Sequence, residues 1–241
     1  MAHFVEHEPC PKCGSRDNLG RYSDGSAFCF GCHYRERRNG NPAEWGKKMT
    51  EDVVNYPKMP EDTGTSFGPD AVAWLQQYDV GVVEAMKRNI KWSPSHYQLI
   101  FDMGEVWQAR NFMRMYVDGN GNTKIKPKYF TSGPVQDVLS IYNSQDGESR
   151  TLVVVEDCVS AIRIARQCDV MPVLGSHLSA QKISRVSKLY DDFVVWLDHD
   201  KFKEAQGIVH QLRMLGRSAK AVWTKDDPKE YNDTAITEVL T

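Results

Sequence analysis

Four cysteines, Cys10-x2-Cys13 and, fifteen residues on, Cys29-x2-Cys32, limit what the N-terminal part of this chain can become. Two close pairs at this separation build two tight knuckles that bring four thiolates to the corners of a tetrahedron. That is the ligand pattern of a structural zinc ribbon, expected over residues 1–40. Two disulfides would instead need an oxidising compartment. The opening MAHFVEHEPC has no apolar signal core, and no apolar run could span a membrane, so a cytoplasmic setting is expected. Cys158 and Cys168 lie in apolar or helical stretches and read as buried small residues.

The remainder of the 241 residues is long enough for a sizeable core. The net charge of −2 hides an uneven distribution. Residues 51–85 hold one lysine against seven acids, whereas residues 86–134 hold eight lysines and arginines against three acids. Tyr97, Trp107, Phe112, Tyr116, Tyr129 and Phe130 are interleaved with those cations. Cations meet phosphates and rings stack on bases, so this island fits nucleic acid or nucleotides.

Residues 41–66, rich in Asn, Gly, Pro and charge, read as a linker. A helix is expected over Pro69–Tyr78 and another over Val83–Arg88, followed by strands in NIKWS, HYQLIFDM and VWQARNFMRMYV. The Asp-Gly and Asn-Gly dipeptides of VDGNGNTK predict a hairpin. After Gly147 the pattern alternates. TLVVVED, DVMPVLGS, DFVVWLDHD and RSAKAVWTKDD read as strands, with helices between them and Ser179 as the N-cap of one. The expected class is α/β (α+β overall), with a parallel α/β unit over 148–241 and a basic subdomain over 67–147.

Ligands of such sheets sit outside the carboxyl ends of the strands. Those ends carry Glu156-Asp157, Asp198-His199-Asp200 and Asp226-Asp227, while Gly175-Ser176-His177 leaves room. Carboxylates from three strand ends repel one another unless a cation lies between them, and magnesium with a phosphorylated ligand is the natural occupant. In an Asp-x-Asp string alternate residues share a side, so Asp198 and Asp200 can act together.

A first-strand Glu followed by a later Asp-x-Asp in a four-stranded α/β unit resembles the Toprim family. With the four-cysteine ribbon, the linker and the basic segment before it, the chain resembles the DnaG-type primases, above all the primase half of bacteriophage primase-helicases. The string Ser23-Asp24-Gly25-Ser26-Ala27-Phe28-Cys29 matches that of the phage enzymes, and Lys126–Gly133, KPKYFTSG, resembles their phosphate-holding stretch. The resemblance implies a mixed α/β primase core ending in a Toprim fold, and synthesis of short RNA primers on single-stranded DNA. It implies a structural zinc on Cys10, Cys13, Cys29 and Cys32, and magnesium on Glu156, Asp198 and Asp200, with Asp227 a weaker candidate. Tyr22, Asp24, Ser26 and Phe28 would lie near template bases. Lys128, with Lys124, Lys126, Arg110 and Arg114, would hold triphosphates or the template backbone. Implied partners are the template, ribonucleoside triphosphates, a DNA polymerase and a replicative helicase on a separate chain, since no Gly-x4-Gly-Lys-Ser/Thr phosphate loop occurs. If the gene is carried by a phage, the setting is the bacterial host cytoplasm.

The sequence departs from the family in two places. Ser160 stands where an Asp is expected one helical turn after Glu156, which opens the metal count. Ser26 stands where phage relatives carry a template-reading histidine, which points to a different recognition trinucleotide. A RecR-like recombination mediator, which joins a four-cysteine site to a Toprim unit without catalysis, is the alternative. It predicts a helix-hairpin-helix before the cysteines, where nine residues precede Cys10.

Overall fold

The computed structural model describes residues 3–32, 34–36, 57–117, 119, 121–133, 135, 138–144, 149–175 and 178–240. The chain divides into two compact units, Met1–Pro57 and Lys58–Thr241. Residues 41–56 of the expected linker, and Ser176-His177, lie outside the described residues.

The smaller unit is a four-stranded antiparallel sheet of β1 (Phe4–Glu8), β2 (Leu19–Tyr22), β3 (Ala27–Cys29) and β4 (Arg35–Glu36), in that spatial order. Its small core consists of Cys10, Leu19, Ala27 and Cys29, all buried, with Cys13, Cys32 and Tyr34 packed against them. Arg21 ties three strands together by reaching Glu8 (2.7 Å) and Glu36 (3.0 Å). A Cβ at Gly20 would stand 2.9 Å from the exposed Phe30 ring, so a larger residue there would push that ring aside.

In the larger unit, the end of the expected linker is already structured: Gly64 pairs with Trp92, and Asp62 accepts from the Ser93 hydroxyl and the Ser95 amide, both at 2.7 Å. α1 (Pro69–Gln77) and α2 (Val82–Lys87) precede an antiparallel sheet ordered β10-β7-β6-β5, formed by β5 (Ile90–Ser93), β6 (Gln98–Asp102), β7 (Trp107–Asn111) and β10 (Tyr129–Thr131). The run 106–117, read from sequence as one strand, is broken between Asn111 and Met115. Its second part, β8 (Met115–Val117), pairs with β9 (Thr123–Ile125) as the expected hairpin.

The parallel sheet is ordered β12-β11-β13-β14, from β11 (Thr151–Val155), β12 (Asp169–Pro172), β13 (Asp192–Val195) and β14 (Ser218–Ala221). Alternate residues face opposite sides. Val153 and Val155 pack with α3 (Cys158–Ile164) and the α1–β6 region. Leu152 and Val154 pack beneath α4 (Ala180–Val186) and α5 (Phe202–Met214). Burial on both faces accounts for the unbroken apolar run. Ser179 caps α4 through the Lys182 amide (3.1 Å). A last helix, α6 (Asp233–Leu240), was not read from the sequence. Arg163, nearly fully buried, locks it in place by donating to the Tyr78 and Tyr231 carbonyls (2.7 and 3.0 Å) and to Asp79 and Asp233 (3.2 and 2.7 Å).

Candidate functional site

In the ribbon, Gly14 takes a left-handed φ of 72° and lets the first knuckle close, with the Cys10 amide donating to the Ser15 carbonyl (2.7 Å). The second knuckle follows β3, where the Cys32 amide points at the Cys29 sulfur (3.4 Å). All four sulfurs lie within 4.8 Å of one another, with Cys10–Cys32 at 3.5 Å and Cys13–Cys29 at 3.7 Å. Tetrahedral zinc with bonds of about 2.3 Å sets its sulfurs about 3.8 Å apart, so the cluster fits one structural zinc ion. Burial pushes the Cys13 and Cys32 thiols up, and a bound cation is what makes four adjacent thiolates tolerable.

On the same unit Tyr22, Ser26 and Phe28 line one groove of about 390 Å³ with Ala27, Arg35 and Glu36. Asp24 folds back on the β2–β3 turn, accepting from the Ser26 hydroxyl (2.6 Å) and amide (3.1 Å). Arg35, exposed and cross-strand from Phe28, lays its guanidinium 5.3 Å from that ring. It was not read from the sequence, because a two-residue strand leaves no periodic signal.

Of the basic residues in the middle segment, Arg110 is boxed by rings, 4.3 Å from Trp74 and 5.6 Å from Tyr129, and its Nη1 reaches the Tyr129 hydroxyl (3.2 Å). Arg114 donates to the Lys126 carbonyl (3.1 Å). Lys126 sits 5.6 Å from the Tyr116 ring, and Lys124 lies opposite Tyr116 in the β8–β9 pair. Lys128 is exposed beside Tyr129, 5.8 Å from its ring. Burial raises the Tyr129 phenol and Arg110 opposes that. Asp157 and Lys229 also act on it, which places this ring within electrostatic reach of the acids.

The strand-end acids gather around a residue not anticipated from the sequence. Lys229 Nζ lies 3.0 Å from Asp157, 3.4 Å from Asp198 and 2.9 Å from Asp227, with 15% of its side chain exposed. Asp157 serves as N-cap of α3, accepting from the Val159 and Ser160 amides and from the Ser160 hydroxyl. The Asp227 carboxylate also meets His199 Nδ1 (3.1 Å) and raises that imidazole. Burial pushes Asp198 up to about 7 against the pull of Lys229, and burial raises Glu156 as well. Burial alone would raise Asp227 too, but Lys229 and His199 hold it down at about 2. Asp200, exposed on the short turn His199–Lys201, pairs with Lys201 (3.2 Å). Glu156 Oε2 and Asp198 Oδ1 are buried and have no hydrogen-bond partner. Among the described residues, only the four cysteines bring three or more ligand atoms to metal-binding separation; the acids, with an ammonium among them, do not close that far.

No family model matches the sequence, and no curated protein matches it. Solved structures do resemble it. The zinc-binding and RNA polymerase domains of the Aquifex aeolicus primase match with a TM-score of 0.60 at 12% identity, over 100% of this chain and 80% of that one. The primase fragment of the bacteriophage T7 primase-helicase matches more loosely, at TM-score 0.46 and 17% identity over 99% and 98% of the two chains. So does the DnaG catalytic core, at 0.48 and 14% over 70% and 69%. No helix among the described residues is long and apolar enough to cross a membrane. With the four-cysteine cluster in its first unit and the parallel sheet in its second, this chain has the fold of a primase's zinc-binding and RNA polymerase domains.

Proposed function

We propose that this chain is a DNA primase, joining ribonucleotides into short RNA primers on a single-stranded DNA template. One observation carries the reading. In a chain with a primase fold, acids that follow β11, β13 and β14 meet beyond the carboxyl ends of the parallel sheet, and two of their oxygens, Glu156 Oε2 and Asp198 Oδ1, are buried without a partner. Orphaned buried carboxylate oxygens fit a divalent cation. Glu156 and Asp198, with Asp200 beside them, would hold magnesium. The ion would neutralise triphosphate charge and lower the pKa of the attacking 3′-hydroxyl.

The remaining roles fall to the chain's own side chains. Lys128, with Lys124, Lys126 and Arg114, holds phosphates by charge-assisted hydrogen bonds, while Arg110 is braced by its rings. Glu156, its carboxyl raised by burial, is suited to accept the hydroxyl proton. In the ribbon groove Phe28 and Tyr22 offer faces to bases, Arg35 a cation to phosphate, and the Asp24–Ser26 turn polar edges for readout. A replicative helicase and a DNA polymerase would place the primers in use.

The experiment is primer synthesis by the purified chain on a library of single-stranded templates, with magnesium and labelled ribonucleotides. Short RNA products confined to some templates are expected. A second reading, a RecR-like DNA-binding mediator without catalysis, draws on Lys229 standing among the acids. Template binding with no product on any template, helicase supplied, would favour it.

A further inference from the structure

An inventory of carboxylate oxygens around Lys229 leaves few for metal. Both oxygens of Asp157 are engaged: Oδ1 by the Val159 and Ser160 amides (2.8 and 3.0 Å), Oδ2 by the Ser160 hydroxyl and Lys229 (both 3.0 Å). Both oxygens of Asp227 are engaged as well, Oδ1 by the His199 amide and ring nitrogen and Oδ2 by Lys229. Asp198 turns Oδ2 to Lys229 and keeps Oδ1 without a partner, as Glu156 keeps Oε2. Ser160, the neutral residue one turn after Glu156, is fully buried and committed to Asp157.

Lys229 is built into this place. It is the middle residue of the turn Pro228–Glu230, whose Pro228 is buried and whose Glu230 amide donates to the Asp227 carbonyl (2.9 Å). The next residue, Tyr231, packs on Trp196 with ring centroids 5.7 Å apart, and its carbonyl is held by Arg163 (3.0 Å). The ammonium is therefore placed by a braced turn with three carboxylates converging on it.

We propose that the Lys229 ammonium is a resident cation of the acid cluster, occupying the role of a second divalent ion, so that the centre takes one divalent ion. The proposal rests on reading the cluster as a metal centre. Glu156 Oε2 and Asp198 Oδ1 remain for that ion, and magnesium needs only one or two carboxylates beside water and phosphate oxygens. Ser160 and Lys229 act as a pair: the residue that could have added a negative charge is neutral, and a positive side chain meets the carboxylate it bonds.

The test counts manganese bound to the zinc-loaded chain of 241 residues by electron paramagnetic resonance and calorimetry, with Asp198→Asn identifying ions bound at this centre. One Asp198-dependent ion is expected in the wild type. Lys229→Gln is expected to take two, or one bound about tenfold or more tightly, because a positive charge near the site is gone. Two ions in the wild type would overturn the proposal. An unchanged count and affinity in Lys229→Gln would overturn it and leave the metal centre standing. No Asp198-dependent ion in either protein would remove the metal reading and the proposal with it. Lys229→Arg keeps the charge and is expected to keep a count of one; a count of two there overturns the proposal even if the glutamine variant does not fold.

Discussion

In the ribbon, four sulfurs lie within 4.8 Å of one another on knuckles drawn from a stretch of 23 residues, and the cluster suits zinc as it stands. At the strand ends, three aspartates separated by up to 70 positions turn toward the ammonium of Lys229, and the two oxygens left over are buried without partners. The first centre is a folding device whose ligands can do nothing else. The second balances its charge with the chain's own cation and keeps part of its valence open. Under the proposed function, that is the difference between a structural site, which closes on its ligands, and a working site, which leaves room for what arrives.

The largest effect expected follows from breaking the closed centre. Cys29→Ser should release zinc and unfold the smaller unit, since structural zinc contributes on the order of 10 kcal/mol to such modules. A zinc-release assay with heteronuclear NMR should show ribbon resonances collapsing while those of 58–241 persist. Persistence of the ribbon spectrum would contradict the comparison. Next comes the brace of the open centre. Arg163→Ala leaves the buried end of α3 without its donor to the Tyr78 and Tyr231 carbonyls, while Asp79 and Asp233 keep Arg166, and should cost about 1–3 kcal/mol by denaturant melts. It should also tighten manganese binding or admit a second ion, as the turn carrying Lys229 loosens and draws the ammonium away from the acids.

The contrast explains what the sequence made legible. Cysteine ligands are local, so their spacing carries the geometry, and the apolar run Thr151–Val155 announces a strand buried on both faces. Glu156 and Asp198 are readable as acids just beyond strands because the α/β alternation places them there, whereas β14 stops at Ala221 and Asp227 sits on the following turn, read from the sequence as the strand's own end. Lys229 is not readable, because nothing at two residues beyond Asp227 says that three other segments will converge on it. Ser160 opens the metal count in the sequence; the structure gives Ser160 and Asp157 to each other and to the α3 terminus. Arg35 and the break at Phe112–Arg114 were missed because strands of two or three residues are too short to show a period.

Two smaller effects sharpen the comparison. Phe28→Ala should weaken single-stranded DNA binding by about 1–3 kcal/mol in fluorescence titrations, with no loss of zinc, since one stacking face goes and the knuckles stay. Asp198 gives a pH signature. Its carboxyl rests near 3.8 unfolded and is raised to about 7 in the fold, so the folded state binds the extra proton. The stability it contributes is full below about pH 4 and is lost as pH rises through 7. Metal-free Asp198→Asn should therefore melt about 2–4 °C above wild type at pH 8 and match it near pH 4. Equal melting temperatures at pH 8 would mean that the carboxylate is not buried against its charge.

The most direct measurement is dinucleotide formation from labelled ribonucleotides on an active template, wild type beside Asp198→Ala, with template binding recorded for both. Binding should be unchanged and the product should fall by about two orders of magnitude or more. Equal product from the two proteins would contradict the assignment of nucleotide joining to the acids at the strand ends.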